Sequence, residues 1–213
     1  MSESYKESFE KTKKAGEIAA GALDEVAKII KPGIQTNKID KLCYEYINDN
    51  GAYSAPLFYR GFPKSCCTST NHIVCHGIPS DKILKDGDIV NVDVTALKDG
   101  WHGDTSRTYE IGEVSIKAKK LVKTTFDAMM KAIKIIKEDV FLGDIGATIQ
   151  NHVEAEGFSV VQDFCGHGIG RYFHQEPNVL HYGKKGTGER IKAGMIFTIE
   201  PMINFGKYET KTL

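Results

Sequence analysis

The sequence lacks the features that define several classes of protein. Its 28 Lys and Arg residues balance 28 Asp and Glu residues, so it has no basic excess for general nucleic-acid or anionic-membrane binding. No apolar run approaches the ~18 residues of a membrane span, and the start MSESYKESFEKTKK lacks the apolar core of a signal peptide. We therefore expect a cytoplasmic globular protein whose partners include neither a membrane nor a specific nucleic acid.

Cysteine and proline are also scarce. The five cysteines are odd in number and lack the spacing of a disulfide framework, a pattern typical of reduced cytosolic thiols. The chain has six prolines and no Pro/Ser linker, and 41% of its 213 residues are hydrophobic. Such a chain can bury a substantial core, and we expect a single domain over residues 1–213.

Hydrophobic periodicity predicts four helices separated by strand-rich regions. From Tyr53 to Gly112 apolar and polar residues tend to alternate and are interrupted by Pro and Gly, which predicts strands and hairpins. Gly- and aromatic-rich strands follow the last helix. The predicted helices run from about Ser4 to Lys31, from Asn37 to Asn50, from Lys117 to Lys137 and from Gly143 to Glu156.

The chain also contains a weak internal repeat. The segment KDGDIVNVD (85–93) recurs 107 positions later as KAGMIFTIE (192–200), and HGI occurs at both 76–78 and 167–169. Both nine-residue segments have an acidic residue at their last position, which favours duplication over chance similarity. We expect halves of about 1–112 and 113–213 that pack about a pseudo-two-fold axis, with acids from both halves converging.

The strand of the first repeat continues into a predicted hairpin. Asp99-Gly100 is a two-residue hairpin signal, and with this loop Thr95 faces Asp104. Asp93 then becomes the diagonal neighbour of Asp104 on the same face, with Cβ atoms ~7–8 Å apart. A solvated sheet face would explain this pair alone, but like charges at this distance repel, and a metal ion would offset the repulsion.

Two residues of the second half favour the metal site. Glu200 occupies the repeat position of Asp93 on an otherwise apolar strand, and His167 lies between two glycines. Three carboxylates and an imidazole suit Mn, Fe, Co or Zn, and bridging carboxylates would hold two ions ~3.5–4 Å apart. Two rival motifs fail, because the glycines around His167 lack dinucleotide-site spacing and Cys66-Cys67 has no suitably spaced catalytic partner.

Four segments together resemble the type I methionine aminopeptidases. They are NHIVCHGIP (71–79), DGWHGDTS (99–106), GHGIGRYFHQEP (166–177) and FTIEPMIN (197–204). The resemblance implies an α/β protein of the α+β type with the pita-bread fold, in which two pseudo-symmetric halves form a curved antiparallel sheet covered by helices. It also implies removal of the initiator methionine from nascent proteins by attack of a metal-bound water.

The resemblance assigns site residues as well. The residues that match metal ligands are Asp93, Asp104, His167 and Glu200. Asp104 and Glu200 would bridge two divalent ions, which could be Co, Mn, Fe or Zn. The residues that match catalytic groups are His76 and His174, which would orient the substrate, and Glu200, which would accept a proton. The methionine pocket would be lined by Tyr59, Cys67 and Phe173, with Pro56 and Phe62 at wall positions that depart from the family pattern.

The remaining histidines are expected to be surface or supporting residues. They are His72, His102, His152 and His181. Of these, His102 lies two residues before a predicted ligand, Asp104.

One family ligand has no match, namely a second bridging glutamate on a further strand beyond Glu200. Because Glu209 lies in a polar tail, we expect a truncated form of a longer enzyme that holds at most one ion tightly and has weak activity. The resemblance implies the N-termini of nascent polypeptides as partners, association with the ribosome and a monomeric enzyme. The alternatives are a pita-bread binding protein that has lost catalysis and an aminopeptidase P-like exopeptidase, which the missing N-terminal domain disfavours.

Overall fold

Helices and short antiparallel strands alternate along residues 5–213, the part of the chain that this computed structural model describes. The helices are α1 (Tyr5–Ile29), α2 (Thr36–Asp49), α3 (Ile116–Lys134) and α4 (Leu142–Ala155). All four predicted helices are confirmed to within a few residues, although the predicted start at Ser4 lies outside the described residues. Among residues 5–213, no helix combines the length and apolarity that crossing a membrane requires.

The strands are short apart from one long hairpin. They are β1 (Tyr53–Ser54), β2 (Cys67–Thr70), β3 (Ile89–Lys98), β4 (Trp101–Glu110), β5 (Ser159–Val160), β6 (Gly166–Gly168), β7 (Gln175–Val179) and β8 (Ile203–Asn204). The chain divides into two compact units. The first unit contains the residues up to Ser115 together with Gly170–Phe173, and the second contains Ile116–Ile169 and His174–Leu213.

The first unit is built on a four-stranded antiparallel sheet. β3 pairs with β4 along its whole length, and with β1 and β2 at its other edge. The alternating residues Val90, Val92, Val94 and Ala96 are fully buried in a core that also contains apolar residues of α1 and α2. Complete burial of an aliphatic side chain contributes ~1.5–3 kcal/mol, so this alternation fixes which face of β3 carries Asp93 and Thr95.

The hairpin between β3 and β4 has the predicted two-residue loop. Asp99 and Gly100 have φ values of 51° and 79°, as a type I′ turn requires. The register pairs Lys98 with Trp101 and Thr95 with Asp104, as expected from the sequence.

The second unit packs α3 and α4 over short strand pairs. β5 pairs with β8 and β6 pairs with β7. Two large apolar residues of α3 are partly exposed, since Phe126 and Ile133 are 56% and 42% exposed. Small side chains, Ala128 and Ala132, form the buried stripe of this helix instead.

The apolar strand predicted around Glu200 forms only in part. Phe197 makes an isolated bridge to Gly168, and the backbone N–H of Thr198 donates to the carbonyl oxygen of His167 at 2.8 Å. The partner strand β6 is only three residues long, and Pro201 has no N–H to donate. This segment is therefore extended and attached to β6, but it is not a regular strand.

The two units share a local hydrogen-bond pattern at repeat positions. The N–H of Leu84 donates to Ile34 at 2.8 Å in the first unit, and the N–H of Ile191 donates to Val140 at 2.7 Å in the second. In each case the acceptor lies just before a 14-residue helix, α2 or α4. The repeated sequence thus corresponds to repeated local structure.

Candidate metal centre

The first unit places two carboxylates on one face of its sheet. Since Thr95 lies opposite Asp104, and Asp93 is two residues from Thr95 on the same strand, all three share that face. The hydroxyl of Thr95 donates a hydrogen bond to Oδ1 of Asp104 at 2.8 Å. Thr95 is only 2% exposed, so it holds this carboxylate from the interior of the sheet.

Cys67 lies directly across from Asp93 in the pairing of β2 with β3. Burial raises the pKa of its thiol above the usual range, and the nearby charges of Asp93 and Asp104 raise it further. The thiol is therefore protonated at neutral pH, and a protonated buried thiol behaves as a small apolar group. The negative charges of Asp93 and Asp104 at this face also favour a bound cation.

His76 lies outside the regular strands of the first unit. β2 ends at Thr70, and His76 has φ 55°, in the left-handed region. The next residue, Gly77, contacts β2 so closely that a Cβ would collide with the carbonyl of Thr68. Desolvation lowers the pKa of the His76 imidazole, which favours its neutral form.

The second unit brings two further predicted ligands together. Nε2 of His167 lies 3.4 Å from Oε1 of Glu200, and His167 is 7% exposed. The hydroxyl of Thr198 accepts the backbone N–H of His167 at 3.0 Å and donates to Oε1 of Glu200 at 2.5 Å. Thr198, which the sequence did not mark, therefore binds the backbone of His167 and the carboxylate of Glu200 through one hydroxyl group.

His181 supports Glu200 from the interior of the second unit. It is completely buried, and its Nε2 accepts the backbone N–H of Glu200 at 3.1 Å. Burial lowers the pKa of His181 to about 4, so the ring is neutral and can accept this hydrogen bond at neutral pH. His181 was expected to be a surface or supporting residue, and it is a supporting one. No sequence motif indicated its contact with Glu200.

The other predicted catalytic histidine also lies in the second unit. The rings of His174 and His167 have centroids 4.3 Å apart with an interplanar angle of 49°. His174 is exposed. An exposed imidazole beside a candidate ligand is suitably placed to contact a substrate.

Aromatic residues of the predicted pocket meet in the first unit. The ring centroids of Tyr59 and Phe173 lie 5.0 Å apart, and Tyr59 belongs to a single 3-10 turn, Tyr59–Gly61. Phe62 closes that turn, because its N–H donates to Tyr59 at 2.9 Å and its carbonyl accepts from Phe58 at 2.7 Å. Pro56 is buried and accepts the N–H of Tyr59 at 3.0 Å.

His72 and His152 stay outside these groups, as predicted. His72 is exposed, and Nδ1 of His152 lies 2.8 Å from Nζ of Lys131, which joins α4 to α3. His102, in contrast, is 9% exposed and its ring is stacked on that of Phe173.

Comparisons with known proteins agree with this geometry. The model of metallopeptidase family M24 matches residues 10–211. A methionine aminopeptidase of Rickettsia prowazekii (strain Madrid E) is 54% identical over 202 residues, which cover 95% of this chain and 78% of that protein. A methionine aminopeptidase of Escherichia coli (strain K12) is 51% identical over 209 residues, covering 97% and 79%.

A solved structure extends the similarity to the fold. The crystal structure of methionine aminopeptidase from Rickettsia prowazekii matches with a TM-score of 0.95 at 53% identity, covering 97% of this chain and 83% of that chain. This likeness confirms the predicted pita-bread fold. The chain belongs to metallopeptidase family M24 and, within that family, to the methionine aminopeptidases.

Proposed function

We propose that this chain removes the N-terminal methionine from polypeptides, using divalent ions held by Asp93, Asp104, His167 and Glu200. The observation that carries the proposal is the register that puts Asp93 and Asp104 on one sheet face. Membership in a metallopeptidase family supports divalent metal binding. The relatives named methionine aminopeptidase support the substrate class.

The donor chemistry of these residues fits a divalent cation. Two carboxylates on one sheet face repel each other, and a cation between them would offset that repulsion. The imidazole of His167 and the carboxylate of Glu200 complete a hard-to-borderline set that suits Mn, Fe, Co or Zn. Of the two ions expected from the sequence, we propose that these four residues would hold one tightly. A bound divalent ion supplies Lewis acidity, which lowers the pKa of water and polarises the scissile carbonyl.

The side chains around these ligands have separate tasks. Glu200 accepts a proton from the attacking water, and its carboxylate and backbone are oriented by Thr198 and His181. His76 and His174 donate hydrogen bonds to the substrate carbonyl as its oxygen gains charge. The methionine side chain enters between aromatic rings and the protonated thiol of Cys67, an apolar setting that suits a thioether.

The physiological substrates in this proposal are nascent chains. They expose the initiator methionine in the cytoplasm as they leave the ribosome, so we place the enzyme there, acting as a monomer. Elution volume on a calibrated sizing column tests the monomer, and co-sedimentation with ribosomes tests the association.

Reconstitution with metal tests the activity. The chelated protein is expected to be inactive on Met-Ala-Ser and to regain turnover with Mn²⁺ or Co²⁺, whereas Asp104→Asn and His167→Ala stay inactive. Asp163→Asn is the matched control, since the Asp163 carboxylate accepts hydrogen bonds from the tail residue Thr210. Metal binding without turnover would favour the binding-protein alternative, and preferential cleavage of Ala-Pro-Ser would favour the aminopeptidase P-like one.

A further inference from the structure

We propose that His102 is a positioning residue that sets the side-chain selectivity of the methionine pocket by holding Phe173 in place. This inference rests on the proposed function, because it concerns the pocket that receives the methionine. It assigns to His102 a role beyond the surface or supporting one expected from the sequence. All the residues involved belong to the first unit.

The first support is a double anchor on one carbonyl group. The backbone N–H of His102 donates to the carbonyl oxygen of Gly170 at 2.8 Å, and Nδ1 of its ring lies 2.9 Å from the same oxygen. A carbonyl oxygen only accepts, so Nδ1 carries the proton. Two donors from one residue therefore hold the start of the segment Gly170–Phe173 against β4.

The second support is the stacking of the ring. The imidazole of His102 lies 5.6 Å from the ring of Phe173, centroid to centroid, with an interplanar angle of 11°. Phe173 in turn packs on Tyr59 at 5.0 Å. His102 thus contacts the same segment at both ends, at Gly170 through hydrogen bonds and at Phe173 through its ring face.

The position of His102 in β4 links the pocket to the carboxylates. His102 and Asp104 are two residues apart in a regular strand, so their side chains point to the same sheet face. The wall that His102 supports therefore lies on the face that carries Asp93 and Asp104. A shift of Phe173 would change the space offered to a side chain without removing a ligand.

A neighbouring contact provides a direct spectroscopic report. The guanidinium of Arg171 lies 4.8 Å from the ring centroid of Trp101, which is the one tryptophan in the chain. Trp101 is 6% exposed. Release of the segment Gly170–Phe173 would uncover this indole, and its fluorescence would shift to longer wavelength.

Two substitutions separate positioning from a general structural role. His102→Ala removes both the ring and the Nδ1 donor, whereas His102→Asn keeps a donor near the place of Nδ1. The ratio of kcat/KM for Met-Ala-Ser to that for Leu-Ala-Ser is measured in the Mn²⁺-reconstituted enzyme. Because small changes of pocket shape alter discrimination by about 10-fold or more, we expect His102→Ala to lower this ratio about 10-fold, mainly through KM.

The same variants give readouts that do not need turnover. His102→Ala should show a red shift of Trp101 emission with Mn²⁺ binding unchanged, and His102→Asn should keep both the emission and most of the selectivity. His72→Ala, at an exposed histidine of the same unit, is the control and should match the wild type in every measurement.

Three results would overturn the role of His102. The first is an unchanged selectivity ratio in His102→Ala. The second is a selectivity ratio in His102→Asn as low as that of His102→Ala. The third is a loss of selectivity that accompanies loss of bound Mn²⁺. A wild-type enzyme that does not cleave Met-Ala-Ser would instead contradict the proposed function. The emission shift would still test the anchoring in that case.

Discussion

Thr198 donates a hydrogen bond from its hydroxyl to Oε1 of Glu200 at 2.5 Å, two residues further along the same extended segment. The hydroxyl oxygen of Thr198 also accepts the backbone N–H of His167 at 3.0 Å. In the first unit the hydroxyl of Thr95 likewise donates a hydrogen bond to the carboxylate of Asp104. Partners of this kind orient ligands and raise metal affinity, so two threonines prepare these carboxylates before any ion arrives.

Removal of the Thr198 hydroxyl should weaken metal binding. Thr198→Val keeps the shape of the side chain but removes the hydroxyl that donates to the Glu200 carboxylate, and we expect the affinity for Mn²⁺ to fall ~10–100-fold. Isothermal titration calorimetry on the chelated protein measures the change. Thr198→Ser should bind Mn²⁺ within a few-fold of the wild type. Thr187→Val should not differ from the wild type, since the Thr187 hydroxyl donates to the loop carbonyl of Lys184. Equal affinities for the Val and Ser variants would contradict the prediction.

His181 should stabilise the folded protein by accepting a hydrogen bond and not by carrying a charge. In His181→Leu the backbone N–H of Glu200 loses its buried acceptor, which costs ~1–3 kcal/mol of unfolding free energy. His181→Gln offers an amide oxygen and should recover part of that loss. Urea unfolding of the metal-free protein gives both values, and a Gln variant no more stable than the Leu variant would show that this hydrogen bond contributes little.

Local patterns predicted the parts of the site that depend on local geometry. The Asp99-Gly100 loop and the alternation of β3 determine the register, so the shared face of Asp93 and Asp104 followed from the sequence. The four helices were predictable for the same reason, since periodicity and end signals lie within each segment.

Features that depend on distant neighbours were missed. Phe126 points outward because α3 meets its neighbours through alanines, a choice that the helix sequence alone does not reveal. His76 owes its position to the contact between Gly77 and Thr68, which the local sequence does not reveal. His181 reaches Glu200 across 19 residues, and such a pairing appears only once the chain has folded.

His76→Ala should separate catalysis from metal binding. The ring is expected to act on the substrate carbonyl and not on an ion, so we expect unchanged Mn²⁺ affinity and a fall in kcat of ~10²-fold or more, the usual scale for a positioned acid, base or oxyanion donor. Calorimetry and turnover of Met-Ala-Ser on the same preparation measure both quantities. Loss of Mn²⁺ with unchanged turnover per bound ion would make His76 a ligand.

Gly103, the neighbour of Asp104, should not tolerate a side chain. A Cβ at this position would collide with the backbone of Ala15 and Gly16 in α1, so α1 and β4 would have to separate. Overpacking of this kind costs ~1–3 kcal/mol, and because β4 also carries Asp104, Gly103→Ala should weaken Mn²⁺ binding as well.

The other side of the contact offers a matched control, since a Cβ on Gly16 would meet nothing within 4 Å. Alanine is the better helix former by ~0.5–1 kcal/mol, so Gly16→Ala should leave Mn²⁺ binding unchanged and slightly stabilise the protein. Urea unfolding followed by the emission of Trp101, together with calorimetry, compares the two variants. If both have the same stability and the same Mn²⁺ affinity, the close approach of α1 to β4 does not position Asp104.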